Sequence, residues 1–229
     1  ERPVQIFGTK YTQTLEPEVQ YLYVPHEDQT RLPLFDTSNR SLAFSNLFSL
    51  NRFTGADRIG DTNQITTALT TRFLDEDGRQ VVDAGIGQIF YLDDREVSLT
   101  DTTPKATRTS DVFLKLGLNL DALNFSSTLQ FTQEDYRLLN TNSRLTYRSP
   151  QYGTLLANHI VTNRDTVSEQ ETLSIGGYTN LSQKWQLGAY INYDLYNEQL
   201  YHSNFGVRYD ACCWAIEFIA ERTQLDNDL

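Results

Sequence analysis

The sequence is short of basic residues and of long apolar runs. It holds 19 Lys and Arg against 30 Asp and Glu, which gives a formal net charge of −11 at pH 7. A nucleic-acid-binding protein needs a basic surface to neutralise phosphates, so this balance argues against such a partner. No apolar run approaches the roughly 18 residues of a membrane-spanning helix. A spanning strand is still allowed, because it needs only about 9–11 residues.

Cysteine and histidine are also scarce. Cys212 and Cys213 are the only cysteines, so at most one disulfide can form within the chain. The histidines, which have no partner at a metal-ligand spacing, are His26, His159 and His202. The acidic runs 75–77 and 93–94 could hold calcium but are more typical of solvated turns. Since no nucleophile or acid–base motif is present either, we predict no metal, no cofactor and no enzymatic activity.

An alternation of apolar and polar residues runs through most of the chain and predicts β-strands. It is most regular from Asn63 to Leu74, and from Trp214 to Glu221 large apolar groups alternate with carboxylates. No segment has a helical pattern. We predict about eleven strands: Tyr11–Val24, Asn63–Leu74, Val81–Leu92, Thr109–Asn119, Leu123–Phe131, Arg137–Tyr147, Gln151–Thr162, Glu169–Thr179, Trp185–Leu195, Leu200–Tyr209 and Ala211–Arg222.

The lengths of the predicted connections indicate which kind of β protein this is. The two long connections, residues 25–62 and 93–108, leave the same end of the strands, and every connection at the other end is short. Outer-membrane barrels have long outer loops and short periplasmic turns, whereas soluble sandwiches follow no such rule. Trp185 and Trp214 are placed for an interfacial aromatic girdle, although core tryptophans of a sandwich would look the same. We therefore predict an all-β fold, an antiparallel transmembrane β-barrel segment that occupies residues 1–229 without a second domain.

The ends of the chain suggest a segment of a larger barrel. No signal peptide is visible at Glu1, and the chain begins within a repeating pattern, as a mature or excised piece would. Single-chain bacterial barrels close with an even number of strands, whereas about eleven are predicted here. Residues 226–229 are polar and do not form a terminal aromatic strand.

Local features predict how two regions pack. Pro17 lies inside the first predicted strand and favours a bulge or a distorted edge there. Gly85 and Gly87 share one face of the strand over 81–92, where close approach is tolerated. The connection 25–62 is rich in apolar residues, so we expect it to fold onto a lumen wall or a partner; these residues are Leu42, Phe44, Leu47, Phe48, Leu50 and Phe53.

Several stretches together resemble the LptD family of lipopolysaccharide-assembly proteins of Gram-negative outer membranes, also called OstA or Imp. They are YTQTLEPEVQYLYVP (11–25), LFSLNRFTGADRIGDTNQITTALTTRFLD (47–75), IGQIFYLDDR (86–95), TYRSPQY (146–152) and FGVRYDACCWAIEFIAER (205–222). The family has a 26-stranded barrel behind a periplasmic jelly-roll domain. This chain resembles the middle and later, C-terminal part of that barrel. It lacks the jelly-roll, the early strands and the last strands, and with them the lateral opening between first and last strands.

The resemblance implies a structural role in transport. The chain would be a barrel component of the outer-membrane translocon that inserts lipopolysaccharide into the outer leaflet. Its implied partners are lipopolysaccharide, an LptE-like lipoprotein plug in the lumen, and a periplasmic Lpt bridge reached through the missing N-terminal domain. The alternatives are another outer-membrane barrel, such as a porin or receptor, and a soluble sugar-binding β-sandwich.

The resemblance also implies roles for individual residues. Cys212 and Cys213 match the adjacent pair that forms disulfides with two upstream cysteines, which are absent from this chain; otherwise they would be small buried residues. Within this chain the pair should be free or bonded to each other, and a bridge between strand neighbours would be strained. Arg52, Asp57 and Arg58 are candidates to contact the plug. Because lipopolysaccharide is polyanionic and the chain acidic, we expect this region to act as scaffold and plug seat more than as substrate grip.

Overall fold

A computed structural model describes residues 1–6, 8–99 and 107–223, and shows one antiparallel sheet of twelve strands in chain order. The strands are β1 (Arg2–Ile6), β2 (Thr9–Val24), β3 (Thr62–Leu74), β4 (Gln80–Tyr91), β5 (Val112–Asn119), β6 (Leu123–Phe131), β7 (Leu138–Ser149), β8 (Gly153–Thr162), β9 (Gln170–Asn180), β10 (Trp185–Asp194), β11 (Gln199–Asp210) and β12 (Ala215–Thr223). The predicted all-β fold is confirmed. Within the described ranges the one helical element is the 3₁₀ turn Phe44–Asn46. None of the described residues forms a helix long and apolar enough to cross a membrane, a finding that does not bear on spanning strands.

The sequence alternation does not predict β1. This strand is five residues long and contains Pro3, so its own pattern is weak. It forms by pairing with the start of β2, with Arg2 opposite Gln13 and Ile6 opposite Thr9. The other eleven strands agree with the predicted ones to within a few residues. The polar segment 226–229 lies outside the described residues.

Of the two alternatives predicted at Pro17, a bulge or a distorted edge, the bulge is absent. β2 and β3 pair in one continuous register from Thr12 opposite Leu74 to Val24 opposite Thr62, with Pro17 opposite Leu69. β1 reaches only as far as Gln13, and beyond it β2 pairs with β3 alone among the described strands.

The connections keep the predicted asymmetry. Those that leave one end of the strands, which we call the loop end, are residues 25–61, 92–111, 132–137, 163–169 and 195–198. Those at the other end, the turn end, are residues 75–79, 120–122, 150–152, 181–184 and 211–214. Several turn-end connections close with one backbone hydrogen bond, such as Ala211 N to Trp214 O at 2.8 Å. The long loops therefore all lie in one class, as the sequence predicts.

The contacts divide the chain into two compact units. Unit 1 comprises residues 1–79, 83–115 and 130–137, and unit 2 comprises residues 80–82, 116–129 and 138–229. Unit 1 holds the long connection 25–61 and a buried apolar cluster of Leu47, Ile89, Tyr91 and Phe113. Unit 2 holds the regular hairpins of β7–β12.

Candidate functional site

Strands β7–β12 carry an apolar row on one face and a polar row on the other. Directly opposed residues of antiparallel strands lie on the same face. The apolar row is Tyr147, Leu155, Gly177, Ala189, Phe205 and Ala220. The polar row is Arg144, Asn158, Ser174, Asn192, His202 and Thr223. Tyr147 and Arg144 are three positions apart in β7, so the two rows lie on opposite faces, which we call the apolar face and the polar face of unit 2.

The apolar face is uncovered. Phe205 is 49% exposed, and its neighbours on β12, Ile216 and Phe218, are 46% and 73% exposed. Soluble monomers rarely leave large apolar side chains uncovered in one contiguous patch. On the polar face the side chains bond one another, with Ser174 Oγ donating to Asn192 Oδ1 at 3.2 Å. This combination fits a sheet with lipid on one side and water on the other.

An aromatic cluster closes the apolar face at the turn end. The ring centroids of Trp185 and Tyr209 are 4.9 Å apart, and those of Tyr209 and Trp214 are 5.4 Å apart. Trp185 begins β10 and Trp214 directly precedes β12, so the cluster lies where the strands end. Amphipathic rings at strand ends are typical of the interface between lipid and water.

In unit 1 the connection 25–61, which we call the covering loop, packs onto the sheet. Leu42, Phe44 and Phe48 pack against the buried cluster that contains Leu47 and residues of β4 and β5. The loop backbone is also held, because Gln20 Nε2 donates to Phe48 O at 3.4 Å. The loop therefore folds onto the sheet of its own unit, and the identity of this surface as a lumen wall stays a prediction.

The glycines of β4 allow this close approach. A Cβ atom added at Gly87 would lie 2.6 Å from Cδ1 of Leu47, and one at Gly85 would lie 2.6 Å from Cζ of Phe44. Contacts this short force a neighbour to move. The face that carries both glycines is thus shaped to receive the loop, in line with the sequence prediction.

The covered face of β3 is its polar one. Gln64, Thr66 and Thr70 are buried, whereas Leu69 on the opposite face is 41% exposed. The buried groups bond each other: Thr62 Oγ1 donates to Gln64 Oε1 at 2.7 Å. β3 therefore buries polar side chains and exposes Leu69, the reverse of the usual pattern in a soluble protein.

Within the covering loop, Asp57 and Arg58 bind backbone groups. Oδ2 of Asp57 accepts hydrogen bonds from the amides of Phe35 at 2.9 Å and Asp36 at 3.1 Å. These amide bonds, the Phe35 bond first, lower the pKa of Asp57. Arg58 is only 6% exposed and donates to the carbonyls of Gln29 and Leu32. Both side chains fold distant parts of the loop together.

Arg52 joins the covering loop to the next long connection. Its Nη2 lies 2.8 Å from Oδ1 of Asp61, and it also donates to the carbonyls of Asp61 and Val97. Asp61 in turn accepts the amides of Glu96 at 2.7 Å and Val97 at 2.9 Å. The guanidinium and carboxylate thus cross-link residues 52, 61 and 96–97.

The three residues predicted to contact the plug therefore all lie in the covering loop. Their charged groups bind other parts of this chain. Arg52 is partly buried in the ion pair, Arg58 is buried, and Asp57 is half-buried. Their contact with a partner stays a prediction. Sequence reasoning missed Asp61, although its place directly before β3, inside the stretch GADRIGDTNQ, was the available signal.

Cys212 and Cys213 lie in the turn between β11 and β12, not within a strand as predicted. Both are exposed and free, with their sulfur atoms 3.1 Å apart. The hydrogen bond shared with Cys212 raises the pKa of the Cys213 thiol. An exposed pair in a turn is accessible to a partner thiol. Neither cysteine is buried in the described part of the chain.

The histidines and acidic runs are dispersed. His159 bonds Glu171 at 2.8 Å, and His202 contacts Thr223. Asp75 accepts hydrogen bonds within its own turn, from the amide and the side chain of Arg79. Among the described residues no three His, Cys, Asp or Glu side chains are grouped so as to hold a metal ion.

Comparisons with known proteins point to one family. The family model for LptD, described as LPS transport system D, matches residues 1–190. The chain is also similar to three proteins named LPS-assembly protein LptD: 34% identical to that of Azoarcus sp. (strain BH72), 34% to that of Nitrosococcus oceani and 33% to that of Pseudoalteromonas atlantica. Each alignment covers 100% of this chain and, in the same order, 29%, 31% and 30% of the relative. The chain thus spans about three-tenths of the length of these relatives.

Proposed function

This chain belongs to the LptD family, and we propose that it forms part of an outer-membrane β-barrel that inserts lipopolysaccharide into the outer leaflet of a Gram-negative bacterium. Its relatives carry lipopolysaccharide assembly in their names. Their greater length leaves room for further strands and a periplasmic domain outside this chain. The role is structural and transporting, without catalysis.

The observation that carries the membrane placement is the pair of opposed rows in unit 2. The apolar row has Leu155, Ala189 and Phe205 in register, and the polar row has Asn158, Asn192 and His202. In a transmembrane barrel the first row meets lipid and the second meets the aqueous lumen. The loop end would then face outward and the turn end would face the periplasm.

The covering loop gives this part of the barrel a second role. It packs on the glycine-bearing face of β4 in unit 1, and a barrel would turn this face toward its lumen. An LptE-like lipoprotein plug would meet the exposed surface of the loop. Arg52, Asp57 and Arg58 would serve that contact by holding the loop in shape.

Cys212 and Cys213 would link the barrel to the periplasmic domain of the family. They lie at the turn end, which this orientation places in the oxidising periplasm. Their partners would be upstream cysteines outside this chain. Through that domain the barrel would connect to the periplasmic Lpt bridge.

Depletion of the full-length protein in its own host tests the proposal. Newly made lipopolysaccharide should stop reaching the cell surface, as measured by antibody binding to intact cells after pulse labelling, and a plasmid copy of the full-length gene should restore it. Normal surface delivery during depletion, with loss of uptake of one solute instead, would contradict the proposal and favour a porin or receptor.

A further inference from the structure

A cavity of about 460 Å³ lies in unit 1 between the covering loop and the sheet. Its lining includes three arginines, Arg40, Arg52 and Arg95, from three separate stretches of the chain. No Asp or Glu is among the described residues that line it. In a chain with a formal net charge of −11, this is a local concentration of positive charge. It is a feature that the overall acidity conceals.

Two of these arginines already interact with other groups of the protein. Arg52 is paired with Asp61, with 2.8 Å between Nη2 and Oδ1. The guanidinium of Arg95 stacks over the ring of Tyr91, with Cζ 4.0 Å from the centroid, and donates to Thr107. Both interactions fix the direction of the side chain, so the positive groups are held in place.

Arg40 is the least satisfied of the three. Its Nη2 makes one long hydrogen bond of 3.4 Å to Phe53 O. Its Nε is buried and has no hydrogen-bond partner among the described residues. A guanidinium has five donors, and a buried one without an acceptor is costly. Arg40 lines the cavity, so an anion there would accept from its Nη groups, of which only Nη2 has an acceptor among the described residues, and that bond is long.

The rest of the lining suits a sugar. Asn39 provides amide groups, and Tyr91 lies in the cavity wall with Arg95 over its ring. Volumes of roughly 300–1,000 Å³ are usual for small-ligand sites, so one saccharide unit fits. Planar guanidinium groups match the oxygens of a phosphate in two-pronged hydrogen bonds.

We propose that this cavity binds a phosphate-bearing saccharide, with Arg40 as the principal phosphate contact and Arg95 as a second. The inference rests on the proposed function, because lipopolysaccharide is the phosphorylated saccharide that such a barrel meets. It places a substrate-binding site in a region that the net charge of the chain predicts to be a structural scaffold. The covering loop then packs on the sheet and also forms one side of a binding site.

Calorimetric titration of the full-length protein with its partners tests the site. The probe is deacylated lipopolysaccharide saccharide, with the same saccharide stripped of its phosphates as the comparison. Removing the acyl chains prevents binding to apolar surfaces elsewhere. The phosphorylated probe should bind the native protein, Arg40→Gln should weaken it about tenfold, Arg40→Lys should recover part of the loss, and the stripped probe should bind weakly to all variants.

Arg31→Gln is the matched control, because Arg31 is exposed in the same loop and does not line the cavity. It should bind like the native protein. Equal binding by the native protein and Arg40→Gln, or equal binding of both probes, would overturn the proposal. Absence of any binding at a millimolar concentration of the probe would overturn it too. The depletion experiment tests the proposed function separately, so its result would not change.

A photo-crosslinking residue at Leu50 tests the site in otherwise native protein, so the result does not depend on whether the arginine variants fold. Leu50 lines the cavity and is 66% exposed, so its replacement disturbs little. In otherwise native protein the phosphorylated probe should form an adduct there, and excess unlabelled phosphorylated saccharide should remove it. No adduct at saturating probe would contradict the site.

Discussion

The Nη2 atom of Arg52 lies 2.8 Å from Oδ1 of Asp61, and the Asp61 side chain is only 6% exposed. This pair ties the covering loop to the backbone of Glu96 and Val97, which belong to the next long connection. Burial, the largest single influence, raises the pKa of Asp61, but the bonds from Arg52 and from the two amides together lower it. The two loops of unit 1 are therefore held by one carboxylate.

Asp61→Asn should loosen the covering loop without unfolding the strands. The asparagine loses the ion pair and one acceptor for the two amides, a loss of about 1–3 kcal/mol. Trypsin cleavage within residues 25–61 of the full-length protein in detergent should become roughly fivefold faster or more. Asp77→Asn is the control, because Asp77 lies exposed in the short turn after β3. Equal cleavage rates in the two variants would show that Asp61 does not hold the loop.

Acid should open the same link. A carboxyl whose pKa is lowered by folding contributes stability above its ordinary pKa, and this stability is lost as the pH falls through the lowered value. Hydrogen–deuterium exchange in peptides covering residues 92–99, corrected for intrinsic rates, should show weaker protection only at acidic pH. The Asp61→Asn variant should lack this step. Protection that weakens toward alkaline pH instead would contradict the assignment.

The cysteine turn should be oxidised in the native protein. A non-reducing peptide map of the full-length protein from outer membranes should join the peptides with Cys212 and Cys213 to upstream cysteines. The exposure of both thiols makes this possible. Replacing both with serine should remove these linked peptides and leave the rest of the map unchanged. Free thiols at both positions in native membranes would refute the link to a periplasmic domain.

A charge should be tolerated on only one face of β11. Phe205 belongs to the apolar row, and its neighbour Asn204 lies on the opposite face. Phe205→Lys should destabilise the full-length barrel by about 2–4 kcal/mol if this position lies near the bilayer centre, whereas Asn204→Lys should change little. Urea unfolding in lipid vesicles, followed by heat-modifiable electrophoretic mobility, measures both. Similar losses would mean that β11 does not separate lipid from water.

Much of the fold follows from the sequence because alternation is a local signal. The faces of β3 and β4, the strands β5–β11 and the asymmetry of the connections are all readable from residue patterns. The sequence pattern does not predict β1, because its five residues become a strand only by pairing with β2. The sequence pattern places the cysteines in a strand over 211–222, whereas the bond from Ala211 N to Trp214 O closes a turn around them.

The candidate site was less accessible to sequence reasoning. Arg52 stood out in its motif, but its partner Asp61 and the amides of residues 96–97 meet it only through tertiary packing. Arg40 likewise looks like an ordinary loop residue until its neighbours around the cavity are known. Net charge averages over the whole chain, so it gives no sign that Arg40, Arg52 and Arg95 line one cavity.

The most direct test of the account is a spin-label scan of β11 in the full-length protein, reconstituted in lipid vesicles. Single labels at residues 203–209 report accessibility to oxygen, which concentrates in lipid, and to a water-soluble nickel complex. Oxygen accessibility should peak at Phe205, Val207 and Tyr209, and nickel accessibility at Asn204, Gly206 and Arg208. Uniform accessibility to the nickel complex along the strand would contradict a membrane barrel.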